Sequence, residues 1–294
     1  MFASFINRHQ LAHDFITVAK THFVPLAETI IEQQSQQLKS PFFVAINGCQ
    51  GSGKSTLSDF ICDYISHYTD LNIIVLSLDD FYFSQKIRSE LANTIHPLLA
   101  TRGVPGTHDT QHIQQIFTQL AEDRGTVALP RFNKVTDNPF PIEQWPKVNL
   151  PVDIVLFEGW CWGVTPQDEQ ALIKPVNDLE QEFDTQGLWR SFVNQTLSTD
   201  YLPLYDEMDF WVLLQAPSFT CVYQWRLEQE HKLTLKTDIK DRDSLMSDQQ
   251  VLQFIQYYQR LTEHCLATMG EGCDLVYYLN KDRQIERTVT KKKD

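Results

Sequence analysis

The chain has 294 residues, 42% hydrophobic and 21% charged, with 18 Phe, 10 Tyr and 6 Trp; this excludes a disordered or fibrous polymer and supports a sizeable core. Its 38 acidic against 25 basic side chains leave a net charge of -13, which excludes general binding to nucleic acid or anionic membranes, so any anionic ligand must be held by a local concentration of donors. Six scattered cysteines without a C-x-x-C pair, and no histidine cluster at metal-ligand spacing, predict reduced thiols in a cytoplasmic protein and argue against a disulfide scaffold or a zinc site.

Taken in chain order, the opening MFASFINRHQ lacks the charged-then-apolar build of a signal peptide, and no apolar run approaches a membrane span. Leu11 to Gln37 carries apolar residues at helical spacing, with Pro25 splitting or kinking the element. FFVAIN (Phe42 to Asn47) reads as a buried strand. A glycine-rich turn follows, then a helix with Leu57, Phe60, Ile61, Tyr64 and Ile65 on one face, then the strand NIIVLSL (Asn72 to Leu78). Strand, loop, helix, strand in that order predicts an α/β fold with a parallel sheet and right-handed crossovers. Ser84 to Thr107 loses its period and reads as an irregular, partly helical insertion. Thr110 to Ala121 reads as a helix and Asn133 to Pro151 as a surface excursion. DIVLFEGW (Asp153 to Trp160) and DFWVLLQA (Asp209 to Ala216) are the third and fourth core strands. Ser218 to Lys232 reads as a helix with Ser218 as N-cap. A polar stretch precedes a long amphipathic helix carrying Val251, Phe254, Ile255, Tyr258, Leu261, Cys265 and Met269, and LVYYLN (Leu275 to Asn280) is expected to be the last strand.

GCQGSGKS (Gly48 to Ser55) matches G-x-x-x-x-G-K-[ST] between a strand and a helix. Its glycines let consecutive N–H groups of Gly48, Cys49, Gln50, Gly51, Ser52 and Gly53 wrap a polyphosphate, and the helix N-terminus at Thr56 adds partial positive charge. Lys54 would reach the β- and γ-phosphates of ATP, and the Ser55 hydroxyl would ligate Mg²⁺. LDDFY (Leu78 to Tyr82) ends the second strand on the same sheet edge, where ligands of open α/β sheets gather. A carboxylate there accepts a proton from an attacking alcohol or orients Mg²⁺; its structural alternative is a helix N-cap or Asx-turn. Glu158 ends the third strand and would polarise the Mg²⁺ shell, or else pair with a nearby base.

RGVPGTHD (Arg102 to Asp109) brings Arg102, His108 and Asp109 close enough in sequence to converge on an anion, and PRFNK adds Arg131 and Lys134. Arg226 falls on the inward stripe of its helix, where it either snorkels or clamps a phosphate. NKDR at Asn280 and NKVT at Asn133 lack a correctly spaced aspartate for guanine reading, which disfavours a GTPase switch.

INGCQGSGKST, LDDFY, RGVPGTHD, PRFNK, FEGW, WRLEQE and MSDQQVLQFIQYY follow one another in an order and spacing that resembles the D-glycerate 3-kinase family, from about Pro41 onward. That family is related more distantly to uridine kinase, phosphoribulokinase and pantothenate kinase. The resemblance implies a single P-loop kinase domain over 1–294: a five-stranded parallel core flanked by helices, an N-terminal helical extension over 1–40, a substrate insertion at about 84–109 and a lid at about 218–248. It implies ATP-dependent phosphorylation of a small hydroxylated acid, with Asp79 as base, Glu158 beside the metal and Arg226 in the lid. The metal would be held by Ser55, Asp79 and Glu158. Tyr82, Arg102, His108, Asp109, Arg131 and Lys134 join Asp79 as expected acceptor contacts. One departure is that the plant G-D-R segment is replaced by VTDNPFP (Val135 to Pro141), which keeps an aspartate near Asp137 but lacks the arginine. The alternatives are a kinase of this fold for a nucleoside, pantothenate or a sugar acid, and an ATP-binding regulator that turns over little. Oligomeric state is not indicated.

Overall fold

The computed structural model describes residues 1–236 and 246–291, so the middle of the expected lid, 237–245, and Lys292, Lys293 and Asp294 lie outside the described residues. Strands β1 (Phe42–Gly48), β2 (Ile73–Ser77), β3 (Ile154–Gly159), β4 (Phe210–Gln215) and β5 (Leu275–Leu279) pair in parallel, and β6 (Ile285–Thr290) adds antiparallel to β5. The six-stranded sheet has the order β6-β5-β4-β1-β3-β2 and contains the five-stranded parallel core that the family resemblance implies. β1 and β3 are buried along their whole length, which is why they are continuous apolar runs and not alternating ones. LVYYLN is not the last strand. β6 follows it, with five of its six residues exposed and the outer edge of the sheet to itself, so it has no buried face to mark it in the sequence.

Register positions the site. Glu158 lies opposite both Ile46 of β1 and Ser77 of β2, so the carboxyl ends of three neighbouring strands finish side by side. The crevice at that edge is where the following loops release their side chains.

Helices α1 (Phe2–His9), α2 (Val24–Gln36) and α3 (Lys54–Tyr68) pack together on one side of the sheet. Phe2, Phe5, Phe15 and Phe23 of the N-terminal segment surround Phe60 of α3 with ring centroids 5.3 to 6.2 Å away. Such pairs add roughly 0.5–1.5 kcal/mol each beyond their buried area, so the segment before Pro41 is anchored to the helix that carries the phosphate loop. Ahead of Pro25 the helix widens without breaking: Ala19–Phe23 forms a π-type turn with helical backbone angles at Val18 and Val24 on either side, and α2 continues from it through Pro25. Helices α4 (Gln85–Thr94), α5 (Thr110–Leu120), α6 (Phe219–Lys236) and α7 (Asp248–Thr268) complete the main elements. A capping box between Ser247 and Gln250 starts α7. The helices between Glu169 and Tyr205 went unanticipated: Glu169–Leu172 and Asp178–Phe183 are too short to set up a period, and the run from Leu188 to Tyr205 is interrupted by a π-type turn at Leu197–Tyr201.

Candidate active site

After β1 the chain turns through the phosphate loop. Gly51 sits at φ +77°, and a Cβ built there would lie 2.8 Å from the Cβ of Trp225 on α6, so only glycine allows the loop to lie this close to the helix. Gly53 is the N-cap of α3 and no side chain caps that helix, which leaves its first-turn N–H groups available to an anion. Lys54 Nζ donates to the Cys49 carbonyl at 3.2 Å, which holds the ammonium over the loop. Gln50 Oε1 and Ser52 Oγ are buried without a hydrogen-bond partner, as expected where a polar ligand is to enter. Cys49 is a buried thiol pushed up to about 12 by desolvation, and so inert.

A cavity of about 380 Å³ opens beside this loop at the carboxyl edge of the sheet. Asp79 faces it, accepting from Tyr82 Oη at 3.1 Å and from Lys134 Nζ at 2.5 Å. Burial alone would raise its carboxyl, but the Lys134 ammonium, helped by Lys54, outweighs this and holds it below the usual range. Asp80 is turned away from the cavity. Its carboxylate accepts from the Phe132 N–H at 3.1 Å and from Arg131 at 3.3 Å, and burial raises its pKa. Of the two neighbouring aspartates, the geometry therefore offers Asp79 to a ligand and commits Asp80 to holding PRFNK. Glu158, buried at the end of β3, accepts from the Ser55 hydroxyl at 3.0 and 3.1 Å, and desolvation raises its carboxyl.

Arg226 reaches the cavity from α6, paired with Glu230 at 2.8 Å and standing over the Phe254 ring at 5.8 Å. Arg102 enters from the opposite wall. Its Nη1 donates to Asp137, and its guanidinium lies 5.6 Å from the centre of the Phe132 ring. Asp137 is itself gripped by Arg88, a fully buried arginine on α4 that donates to Asp137 Oδ2 at 2.6 Å and to the Ala100 carbonyl at 2.7 Å. Asp137, the aspartate of VTDNPFP, thus has two arginine partners, both from elsewhere in the chain.

Gln50, Gly51, Lys54, Ser55, Asp79, Tyr82, Arg102, Lys134, Glu158 and Arg226 meet in one cavity. Three of the expected acceptor contacts do not line it, nor do Gly48, Cys49, Ser52, Gly53 and Thr56 of the phosphate loop and its helix. His108 is buried with its ring stacked on Tyr82 and Nδ1 2.6 Å from Tyr201 Oη, and desolvation lowers its pKa to about 3. Asp109 caps α5 by accepting from the His112 N–H at 2.9 Å. Arg131 is spent on Asp80 and its own neighbour's carbonyl. The glycines of RGVPGTHD send Arg102 one way and His108 and Asp109 another, so closeness in sequence did not become convergence. Ser77, Trp160, Gln229, Phe254 and Tyr258 also line the cavity. Tyr258 donates to the Arg102 carbonyl at 3.3 Å; its place on a helical apolar stripe made it look like core.

Among the described residues no group of three or more His, Cys, Asp or Glu forms a metal cluster, and none is required for Mg²⁺, which takes one or two carboxylates plus phosphate oxygens and water. The donors present fit it. Ser55 Oγ and the desolvated Glu158 carboxylate are hard oxygens already within 3.1 Å of each other, with Asp79 lining the same cavity.

No protein-family model matches the chain. The uncharacterized kinase mug58 of Schizosaccharomyces pombe is 32% identical over 254 residues, which cover 83% of this chain and 88% of that protein. The chloroplastic D-glycerate 3-kinase of Arabidopsis thaliana is 29% identical over 242 residues, covering 79% of this chain and 49% of the plant protein. The chain belongs to the glycerate kinase-like family of P-loop kinases. Among solved structures, D-glycerate 3-kinase from Cryptococcus neoformans var. grubii matches this kinase with a TM-score of 0.74 at 25% identity, over 92% of this chain and 99% of that one. The kinase is therefore a phosphotransferase with a P-loop nucleotide site. Among the described residues no helix is long and apolar enough to cross a membrane.

Proposed function

We propose that this kinase transfers the γ-phosphate of ATP to a hydroxyl of a small organic acid, D-glycerate, giving 3-phosphoglycerate. The observation that carries the acceptor class is Arg102. Among the described residues the only hydrogen bond its side chain makes is through Nη1 to Asp137, so its remaining guanidinium N–H groups are available to a carboxylate in the same cavity as Asp79. The names of the plant and Cryptococcus relatives support the same acceptor.

In this reading the loop N–H groups and Lys54 hold the β- and γ-phosphates. Asp79, kept ionised by Lys134, orients the acceptor hydroxyl and takes its proton as it attacks. Tyr82 fixes the carboxylate rotamer through Oδ1. Arg226 and Lys134 neutralise charge on the transferring group. Mg²⁺, held by Ser55 and Glu158 with Asp79 beside them, would supply charge neutralisation at the phosphate oxygens. All six cysteines are unpaired, in keeping with a reducing cytoplasmic setting.

A coupled ADP-release assay across D-glycerate, uridine, pantothenate and sugar acids tests this. Acceptor-dependent ADP release with glycerate supports it; release with uridine alone overturns the acceptor class, and ATP binding without release points to a regulator. Within the glycerate reading, Arg102→Lys keeps the charge near Asp137 but loses the planar fork. It is expected to raise the acceptor KM at least about tenfold, roughly 1.4 kcal/mol for one lost charged hydrogen bond, with the KM for ATP unchanged. An unaltered acceptor KM would remove this loop from the acceptor site.

A further inference from the structure

The cations on the acceptor side of the cavity are each paired with an acid. Lys134 meets Asp79 at 2.5 Å, Arg226 meets Glu230 at 2.8 Å and Arg102 meets Asp137, while Lys54 is taken by the phosphates in the reading above. An Arg102–Asp137 pair by itself would present no net charge to an approaching carboxylate. Arg88 alters this. It donates to Asp137 Oδ2 at 2.6 Å while Arg102 donates to Oδ1, and two guanidinium groups on one carboxylate leave one positive charge for the cavity. We propose that Arg88 is a positioning residue for the acceptor, which compensates Asp137 and so leaves the charge and remaining N–H groups of Arg102 to an acidic substrate. The proposal rests on the reading above, in which Arg102 meets the acceptor's carboxylate, and names what makes Arg102 able to do so.

Neither Arg88 nor Asp137 lines the cavity, so both act on it through Arg102. Side-chain exposure falls from 30% at Arg102 and 26% at Asp137 to 1% at Arg88. A charge as deep as that of Arg88 persists only where it is paired and hydrogen-bonded, and Asp137 is its ion-pair partner. Water screens this inner pair far less than the outer one, so the compensation comes from the buried side.

The Arg88 fork also fixes what it neutralises. Its Nη2 donates to the Asp137 carbonyl at 3.1 Å as well as to the carboxylate, and so holds a backbone at φ +55°, a left-handed conformation that aspartate tolerates. Its Nη1 donates to the Ala100 carbonyl at 2.7 Å and its Nε to the Phe83 carbonyl at 3.1 Å. Phe83 follows Tyr82, and Ala100 lies two residues before Arg102, so one buried side chain joins the segments that bring Tyr82, Arg102 and Asp137 together. Only a planar fork with five N–H groups spans three segments in this way; the ammonium of a lysine is a point charge. On the other side, Tyr258 Oη donates to the Arg102 carbonyl at 3.3 Å, so Arg102 is fixed at its backbone and at Nη1 while the rest of its guanidinium is left to a ligand.

The test measures kcat, the KM for D-glycerate and the KM for ATP in the full chain, with a melt for each variant. Arg88→Gln keeps an amide donor for the buried carbonyls but removes the charge. It is expected to raise the acceptor KM at least about tenfold, the scale of one lost charged interaction, with kcat and the KM for ATP close to wild type, because the carboxylate is bound alike in the ground and transition states. Adding Asp137→Asn to Arg88→Gln removes the uncompensated anion, keeps an oxygen for Arg102 and suits the left-handed backbone, so most of the acceptor affinity should return. A merely structural Arg88 gives no such recovery. An acceptor KM unchanged in folded Arg88→Gln, or raised and not restored by the second substitution, overturns the proposal. If Arg88→Gln fails to fold, Asp137→Asn alone decides: with Arg88 in place the cavity gains positive charge and the acceptor KM should fall, whereas an unchanged or raised KM overturns the proposal. Failure of the underlying reading looks different, since Arg102→Lys then leaves the acceptor KM unaltered; a raised KM in Arg102→Lys beside an unchanged one in Arg88→Gln overturns the role of Arg88 alone.

Discussion

Lys54→Ala is expected to lower turnover on the order of 10³-fold or more and to weaken ATP binding at the same time. Lys54 is the cation that the loop itself carries into the cavity, at the start of a helix with no side-chain cap. The loop's N–H groups and the helix N-terminus already favour the ground-state phosphates, so the ammonium matters most where negative charge builds on the γ-phosphate during transfer. Its hydrogen bond to the Cys49 carbonyl at 3.2 Å is a local one within the loop, so the melting temperature should barely move. Coupled ADP release gives the rate, calorimetric titration the ATP affinity, and a melt the fold. Turnover within tenfold of wild type with normal ATP affinity would remove the phosphate-loop assignment.

The parts of this kinase that the sequence announces are those where one physical demand acts over consecutive residues. β1 and β3 are buried at every position and so run apolar up to the polar residues at their carboxyl ends, Asn47 and Glu158, and the loop must carry glycines because Gly51 lies against Trp225 at positive φ. What was missed depends on distance along the chain. Arg88 and Asp137 are 49 residues apart and neither has a local signature; only the packed insertion makes them partners. Tyr258 and Phe254 sit at helical spacing on α7 and read as core, though they also line the cavity. His108 and Asp109 carry chemically apt side chains, but the turn through RGVPGTHD buries the first against Tyr82 and spends the second as a cap. The strand-end acids Asp79 and Glu158 come to one cavity because β1, β2 and β3 finish in register. In a loop there is no register to do the same.

Asp79→Asn separates the proton acceptor from its neighbour. The substitution keeps the size of the side chain, and its remaining oxygen can still take the Tyr82 hydroxyl, but it removes the carboxylate that Lys134 holds ionised. Loss of a general base typically costs about 10²–10⁴ in rate, so kcat should fall by that order while the Kd for ATP stays close to wild type. Stability should change little: the Lys134 side chain is 59% exposed and that of Asp79 35%, so water screens the lost ion pair. Asp80→Asn should behave in the opposite sense. Asp80 accepts from the Phe132 backbone and from Arg131, and its loss loosens the segment that presents Lys134. A lowered melting temperature with a smaller loss of kcat is therefore expected for Asp80→Asn. The pair of variants, read by kcat and melting temperature together, distinguishes the two carboxylates; a larger fall in kcat for Asp80→Asn, in a protein that melts normally, would transfer the base to Asp80 and leave Asp79 as a ligand for charge alone.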